Sequence, residues 1–355
     1  MTESNLESEK PNPVFFEIKL FFTALMFYTR IPCPKWTGYS DEQLNKSTRY
    51  FPAIGWVVGG FLALIVGLAS LVLPVPLAVG CGLACSVLIT GAFHEDGFAD
   101  VCDGFGGGMT AERTLEIMKD SRVGAFAVIG LILLFGIKIA TMTALLTVEP
   151  WYGLVGLVFA HVLSRCSVVT IIFTDEYARA DLTSKVKPIG NHISVGGLIV
   201  SFCWLLPFIP LLWAQPWWFV AVPVALFLRL ILGRWFKKRL GGYTGDCLGA
   251  AQQIIEVCTM ITILIVIGSL AVLNGSTNPT ITIGSLPALC GSASLSTVVD
   301  NLMALTGGTS PSTVIGNLVA LTGGTSFSAV VGNLATLCGG TSPSTVIGSI
   351  LQGLL

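Results

Sequence analysis

Long apolar runs separated by short polar connections make up most of this chain. Most of the runs are long enough to cross roughly 30 Å of hydrocarbon as a helix. We therefore predict an all-α fold, a polytopic transmembrane helical bundle of about seven spans. The approximate runs are 52–73, 75–93, 123–146, 151–173, 193–214, 217–233 and 251–273.

Basic residues are confined to alternate connections. Outside the apolar runs, nearly all Lys and Arg lie in four of them: 29–50, 94–122, 174–192 and 234–250. The other three connections between the runs hold no basic residue. Because basic connections usually stay on the cytoplasmic side, this asymmetry predicts that all four face the cytoplasm.

The two ends of the chain differ from this central part. Residues 1–13 are polar and acidic, so we expect a flexible tail, and the apolar segment 14–28 suits an interfacial or packed helix. Residues 274–355 hold four copies of a 16-residue repeat. Cap residues at both ends of a copy predict a short-helix repeat array, which suits scaffolding or formation of a homo-oligomer. The predicted domains are 1–13, 14–273 and 274–355.

Composition supports the membrane class and excludes others. Of the 355 residues, 53% are hydrophobic and 11% are charged, whereas about 25% are charged in soluble domains. The mean hydropathy is +0.80, so the lipid bilayer is the expected surrounding. A net charge of −1 gives no reason to expect a nucleic-acid partner, and ten scattered cysteines without a CxxC pair do not suggest a disulfide framework.

Residues 91–108, GAFHEDGFADVCDGFGGG, concentrate acidic side chains. Four acids lie within ten residues: Glu95, Asp96, Asp100 and Asp103. In a helix the last three stand at i, i+4 and i+7, on one stripe. Such carboxylates repel unless a cation neutralises them, and oxygen ligands suit Mg²⁺ or Mn²⁺. The neighbouring glycines would let a phosphate ester approach. A solvated acidic face is the ordinary alternative, and zinc at His94 and Cys102 is a weaker one.

Three basic residues lie inside apolar runs, where a charge usually faces the bundle interior or a ligand: Lys138, Arg165 and Arg229. Arg165 and Arg229 fall towards the predicted cytoplasmic ends of their runs, so each either snorkels or has a function. We retain Arg165 as a candidate for substrate binding. Lys138 lies deep, where pairing with a carboxylate is the alternative to binding a substrate.

The predicted cytoplasmic connections carry further candidates. Asp120 can be a fourth metal ligand or a base, and Arg122 can hold a phosphate, unless both are ordinary interface charges. Lys185 and Lys187 can bind phosphate or merely follow the positive-inside bias. The last candidates stand among glycines before the final apolar run: Thr244 and Asp246. Acids, glycines and basic groups on one membrane face are typical of a metal–diphosphate site for phosphoryl transfer.

At these motifs the sequence resembles the cobalamin synthase family, whose members are adenosylcobinamide-GDP ribazoletransferases. The matching runs are FYTRIPCP, RYFPAIGWVVGG, HEDGFADVCDGFGGG, LEIMKDSRVG, SKVKP and GGYTGDCLGAAQQ, in the family's order. The resemblance covers about residues 14–273 and does not extend to the repeats.

The resemblance implies an integral enzyme of the bacterial inner membrane that requires Mg²⁺ and acts late in vitamin B12 assembly. Such an enzyme joins α-ribazole, or its 5′-phosphate, to adenosylcobinamide-GDP and releases GMP. Carried onto this chain, it implies that the metal ligands are Asp96, Asp100 and Asp103. Asp120 joins them as a catalytic candidate, and one Asp is the base. The substrate-binding candidates are Arg122, Arg165, Lys185, Lys187, Thr244 and Asp246.

Two alternatives are weighed against this reading. A CDP-alcohol phosphotransferase of lipid synthesis also places clustered aspartates beside glycines, but its usual DG-x2-AR run is broken here because Asp100 stands where Arg is expected. A cation transporter would use acids inside the membrane, whereas here the acids cluster in a connection.

Overall fold

The computed structural model describes residues 12–178 and 192–273. In this part of the chain the regular elements are helices, apart from one isolated bridge between Tyr177 and Tyr243, which confirms the all-α class. The α-helices are α1 (Pro13–Tyr28), α2 (Asp41–Ser47), α3 (Phe51–Ala69), α4 (Val75–Thr90), α5 (Phe93–Gly107), α6 (Ala111–Met118), α7 (Ala125–Val148), α8 (Pro150–Thr174), α9 (Val195–Cys203), α10 (Ile209–Ala214), α11 (Ala221–Leu240) and α12 (Gly245–Leu273).

The chain divides into two compact units, Met1–Ile267 and Gly268–Leu355. Of the second unit, the structure describes only the end of α12. The predicted repeat array at 274–355 lies outside the described residues, as does nearly all of the predicted tail at 1–13. The boundaries between the three predicted domains therefore stay predictions.

The number of membrane spans agrees with the prediction of about seven. Among the described residues, six helical stretches are long and apolar enough to cross a membrane, and α4 with α5 adds a seventh if this bent pair is one span. The six stretches are Asp41–Ala69, Ala125–Val148, Pro150–Thr174, Val195–Ala214, Pro216–Leu240 and Gly245–Gly268.

Two of the predicted apolar runs differ from the helices that the structure shows. One run is broken, and the other belongs to a longer helical stretch. The run 193–214 is broken into α9 and α10, because Pro207 and Pro210 each lack the backbone N–H that a helix interior needs. The short run 217–233 is part of a longer helical stretch that continues through the basic residues to Leu240. Hydrophobicity alone missed this extension because the last turns of α11 are charged.

Helix α8 lies at the centre of the bundle. In its most apolar 18-residue window, 83% of the residues are buried, whereas the value for α7 is 28%. Helix α3 packs closely against α8, and a Cβ atom on Gly55 would lie 2.7 Å from the carbonyl oxygen of His161. This close approach holds polar side chains of α8 inside the bundle.

The outer helices expose large apolar side chains. On α7, Ile132 is 67% exposed and Leu133 is 59% exposed, and on α11 Phe227 is 62% exposed. Such surfaces are unfavourable in water but match a hydrocarbon environment. Together with the six apolar stretches, they define a polytopic membrane protein.

Candidate active site

The acidic stretch lies on α5, which follows α4 after a sharp turn. Gly91 ends α4 with a φ of +66°, and Ala92 follows with a φ of +59°. The two helices are bent by 91° relative to each other. The stretch predicted as a polar connection is therefore itself a helix, which places Asp96, Asp100 and Asp103 on one stripe, as the spacing predicts.

The first turn of α12 brings a fourth carboxylate to this stripe. Helix α5 crosses α12 so closely that a Cβ atom on Gly97 would lie 2.9 Å from the Cα of Asp246. On α12, a Cβ atom on Gly249 would lie 3.2 Å from the His94 carbonyl oxygen. A Cβ atom at position 97 would clash with α12, and one at position 249 would be tighter than an ordinary contact. Both glycines therefore favour the close crossing that sets Asp246 beside the α5 acids.

The four carboxylates act on one another electrostatically. Asp100 is repelled by Asp246, Asp96 and Asp103, and Asp246 is repelled in turn by Asp96. The carboxylates of Asp96 and Asp100 have no hydrogen-bond or ion-pair partner among the described residues. The Thr244 hydroxyl oxygen accepts from the backbone N–H of Cys247 at 3.3 Å, so Thr244 caps α12. The described residues therefore do not neutralise the negative charge of this cluster.

Asp103 differs from the other acids because it caps helix α7. Its Oδ2 accepts from the backbone N–H of Gly124 at 2.6 Å, and its Oδ1 accepts from that of Ala127 at 2.8 Å. A negative charge at a helix N-terminus is favourable, since several backbone N–H groups there lack partners. Both oxygens of Asp103 thus have structural partners, which the spacing along α5 did not reveal.

The C-terminal end of α5 is also held in place. Arg239 of α11 donates to the carbonyl oxygens of Phe105 at 2.9 Å and Gly108 at 2.7 Å. The glycines near this end do not leave open space for a ligand, contrary to our expectation. A Cβ atom on Gly104 would lie 2.4 Å from the Met118 side chain, so the α5 glycines here serve helix packing.

Asp120 and Arg122 form an ion pair with each other. The Arg122 guanidinium donates to both oxygens of Asp120, with the shortest contact at 2.6 Å. This contact lowers the pKa of Asp120 to about 2. The Arg122 side chain is 88% exposed, so it remains accessible to an anion.

A buried polar network lies between α5, α7, α8 and α12. Glu256 is 1% exposed and contacts Lys138 Nζ at 2.8 Å, His161 Nδ1 at 2.9 Å and Arg165 at 3.5 Å. The expected pairing of Lys138 with a carboxylate is confirmed. Arg165 is 1% exposed and does not snorkel, so the structure gives it an internal charge partner. Its binding of substrate stays a prediction.

The other predicted basic candidates have different outcomes. Arg229 pairs with Asp175 at 2.8 Å and donates to the carbonyl oxygen of Thr170 at 2.9 Å, which gives it a structural role. Lys185 and Lys187 lie outside the described residues, so their assignment to phosphate binding stays a prediction.

Several residues of the buried network were missed by the sequence analysis. Gln253 donates to Glu95 Oε1 at 3.0 Å and accepts from Lys138 at 2.6 Å. One signal was available, because Glu256 is an acid inside an apolar run and such a residue is costly unless it is paired or functional. The partner of each group could not be read from the pattern.

The carboxylate cluster fits Mg²⁺ only if other ligands complete the site. Among the described residues, no group of three or more His, Cys, Asp or Glu side chains is arranged to hold a metal ion. The zinc alternative finds no support there either, since His94 is stacked against Tyr28 and Phe51. Mg²⁺, however, usually takes one or two carboxylates together with substrate phosphates and water. The unpaired oxygens of Asp96 and Asp100, with Asp246 beside them, suit such a shared site.

An open cavity of about 690 Å³ lies beside α6. Its walls include Leu115 and Lys119 of α6, Glu176 and Tyr177 after α8, and Leu240 at the end of α11. Tyr177 interacts electrostatically with Asp246, so this wall of the cavity is close to the start of α12. The volume is in the range of small-molecule sites.

Fold and site together define a helical membrane protein with a carboxylate cluster suited to metal-assisted phosphoryl transfer. The profile of the cobalamin-5-phosphate synthase family matches residues 20–264. An adenosylcobinamide-GDP ribazoletransferase of Shewanella frigidimarina (strain NCIMB 400) is 43% identical over 251 residues, which is 70% of this chain and 95% of that protein. One of Leptothrix cholodnii (strain ATCC 51168 / LMG 8142 / SP-6) is 40% identical over 245 residues, 68% of this chain and 93% of that protein.

The chain therefore belongs to the cobalamin-5-phosphate synthase family, as the resemblance of its motifs predicts. The match includes every residue named above in the carboxylate cluster and in the buried network. No solved structure gives a significant match to this chain.

Proposed function

We propose that this protein is a ribazole transferase that acts on adenosylcobinamide-GDP and α-ribazole, or its 5′-phosphate. The products are adenosylcobalamin, or its 5′-phosphate, and GMP. The observation that carries the proposal is the cluster of Asp96, Asp100 and Asp246 on α5 and α12, in a chain whose relatives are named for this reaction.

In the reaction, the ribazole hydroxyl oxygen forms a new bond to the phosphorus atom that carries cobinamide. The bond from this phosphorus to the bridging oxygen of the diphosphate breaks, and GMP leaves with that oxygen. One Asp of the cluster that does not bind the metal accepts the hydroxyl proton. Mg²⁺, when bound, would neutralise charge on the diphosphate and on the leaving GMP.

The metal ligands are proposed from the hydrogen-bond partners that each carboxylate has or lacks. Asp96, Asp100 and Asp246 offer unpaired or partly paired oxygens to the metal, whereas Asp103 is already engaged at the N-terminus of α7. Asp103 thus contributes mainly by fixing α5 against α7. Arg122 is exposed on the loop that follows α6 and can hold a phosphate oxygen, with Asp120 as its resting partner.

The site is proposed to face the cytoplasm from the bacterial inner membrane. The support is the distribution of Lys and Arg, since the basic connections include the loop after α6 and the end of α11, both of which adjoin the carboxylate cluster. The transporter and CDP-alcohol alternatives have no observation in their favour, because the family match extends over residues 20–264.

The test is turnover by the purified full-length protein with adenosylcobinamide-GDP and α-ribazole 5′-phosphate. We expect release of GMP that requires Mg²⁺ and stops when the metal is chelated. A matched reaction with a CDP-alcohol and a lipid acceptor should give no product. Absence of GMP from protein that is folded and saturated with Mg²⁺ would refute the proposal.

A further inference from the structure

Gln253 is a buried amide at the point where three helices meet. Its side chain is 3% exposed. The side-chain carbonyl oxygen accepts from Lys138 Nζ of α7 at 2.6 Å. The amide nitrogen donates to Glu95 Oε1 of α5 and to Gln252 Oε1, both at 3.0 Å. This single side chain therefore connects α12 to α7 and to α5 inside the bundle.

The same face of α12 carries both Gln253 and the acid that joins the cluster. Asp246 and Gln253 are seven residues apart, and Gly249, which permits the close crossing with α5, lies between them. Residues at such spacings lie on one side of a helix. Along this face of α12, the Asp246 carboxylate is followed by the glycine contact with α5 at Gly249 and then by the Gln253 amide.

On α5, the partner of this amide directly precedes the first acid of the stripe. Glu95 is adjacent to Asp96. Helix α5 begins only two residues before Glu95, directly after the turn at Gly91 and Ala92. Arg239 holds the far end of α5, and the contact between Glu95 and Gln253 holds the near end.

We propose that Gln253 is a positioning residue that sets the rotation and register of α5 on α12. It thereby keeps Asp96 and Asp100 facing Asp246, so that one or two of these carboxylates can bind a divalent cation whose other ligands are water or substrate phosphates. The inference rests on the proposed function only for the catalytic role of the cation. The effect of Gln253 on cation binding can be tested separately from that role. Gln253 acts through Glu95.

The polarity of this hydrogen bond allows a sharp test. Gln253→Glu keeps the size of the side chain and its acceptor for Lys138, but the new carboxylate cannot donate to Glu95 and repels it. Adding Glu95→Gln restores the hydrogen bond with donor and acceptor exchanged, and the total charge returns to that of the native chain. The two single variants and the double variant form a double-mutant cycle.

The main readout is binding of Mn²⁺ by the purified full chain in detergent, followed by the electron paramagnetic resonance signal of free Mn²⁺. We expect Gln253→Glu to raise the half-saturating Mn²⁺ concentration by roughly 10- to 100-fold, as loss of an outer contact of a metal site does. The double variant should return it to within about threefold of the native value, because paired sites compensate each other. The Mg²⁺ concentration for half-maximal GMP release should follow the same order.

Two further variants complete the experiment. Thr259→Val on the same helix is a matched control, since the buried Thr259 hydroxyl has no hydrogen-bond partner among the described residues, and it should leave Mn²⁺ binding unchanged. If Gln253→Glu does not fold, Gln253→Met, which removes all three side-chain hydrogen bonds without adding charge, takes its place and should also weaken Mn²⁺ binding.

Three results would overturn the inference. They are native Mn²⁺ binding by the single Gln253 variants, a double variant no better than Gln253→Glu, and a native protein that binds no Mn²⁺. A native protein that binds Mn²⁺ but releases no GMP would instead contradict the proposed function, while the Mn²⁺ comparison would still decide the role of Gln253.

Discussion

Substitution of Asp103 is predicted to affect stability, whereas substitution of Asp100 is predicted to affect only the chemistry. Both residues lie on the same stripe of α5, so their sequence positions are equivalent. In the structure, Asp103 accepts two backbone hydrogen bonds at 2.6 and 2.8 Å from the first turn of α7. Asp100 has no such partner and is repelled by three neighbouring acids.

The expected size of the effect follows from these contacts. Loss of a helix cap costs about 0.5–2 kcal/mol, and a hydrogen bond to a charged group contributes about 1.5–3 kcal/mol. Asp103 is half-buried, so water replaces part of both bonds in Asp103→Ala, and we expect a loss of about 2–3 kcal/mol. For a domain of this size, that corresponds to a fall in the melting temperature of about 4–12 °C.

The assay is thermal unfolding of the detergent-solubilised protein, measured beside GMP release for the same preparations. Asp103→Ala should unfold at a lower temperature, and Asp103→Asn, which keeps one acceptor oxygen, should fall between it and the native protein. Asp100→Ala should keep the native melting temperature, or exceed it slightly because repulsion is removed, and should lose turnover. Equal melting temperatures for Asp103→Ala and Asp100→Ala would refute the assignment of Asp103 as a cap, and near-normal turnover of Asp100→Ala would remove it from the mechanism.

Three other outcomes are expected. Glu256→Leu should cost about 3–5 kcal/mol, because it leaves Lys138 as an uncompensated buried charge, and adding Lys138→Met should recover part of the lost melting temperature; no recovery would contradict the pairing. A cysteine at Thr110 should be labelled from the cytoplasm and one at Thr309 from the opposite side, as the Lys and Arg asymmetry predicts, and cytoplasmic labelling of Thr309 would mean an even number of spans. A chain truncated after about Gly275 should retain ribazole transfer, since the polar motifs all precede that point, so loss of GMP release by a truncated protein that inserts normally would show that the repeats support the site.

Membership of the family agrees with what the motifs predict, but the division of roles among the acids does not follow from them. Spacing treats Asp96, Asp100 and Asp103 alike, and it assigns Asp246 to a separate motif 143 residues beyond Asp103. In the structure Asp246 stands with the acids of α5, and Asp103 is occupied at a helix end. The structure therefore changes the expected site in two ways. Asp246, predicted to bind substrate, joins the carboxylate cluster, whereas Asp103, predicted to bind metal, caps a helix.

The class of the protein could be determined from the sequence because hydropathy is a local property. A span needs about 20 consecutive apolar residues, and that count does not depend on which helices become neighbours. The stripe of acids on α5 is local for the same reason, since a helix places residues four apart on one side. The two differences in the helices also have local causes, such as the prolines at 207 and 210.

Only the tertiary structure decided which polar groups meet. Lys138 and Glu256 are 118 residues apart, and Gln253 and Glu95 are 158 residues apart. Neither pairing follows from periodicity, because each depends on how α5, α7 and α12 cross. These crossings depend on where glycines such as Gly97 and Gly249 meet another helix, and a glycine looks the same in the sequence whether it faces lipid, a ligand or a backbone. Burial then requires each charged group inside the bundle to find a partner, and packing determines which partner is within reach.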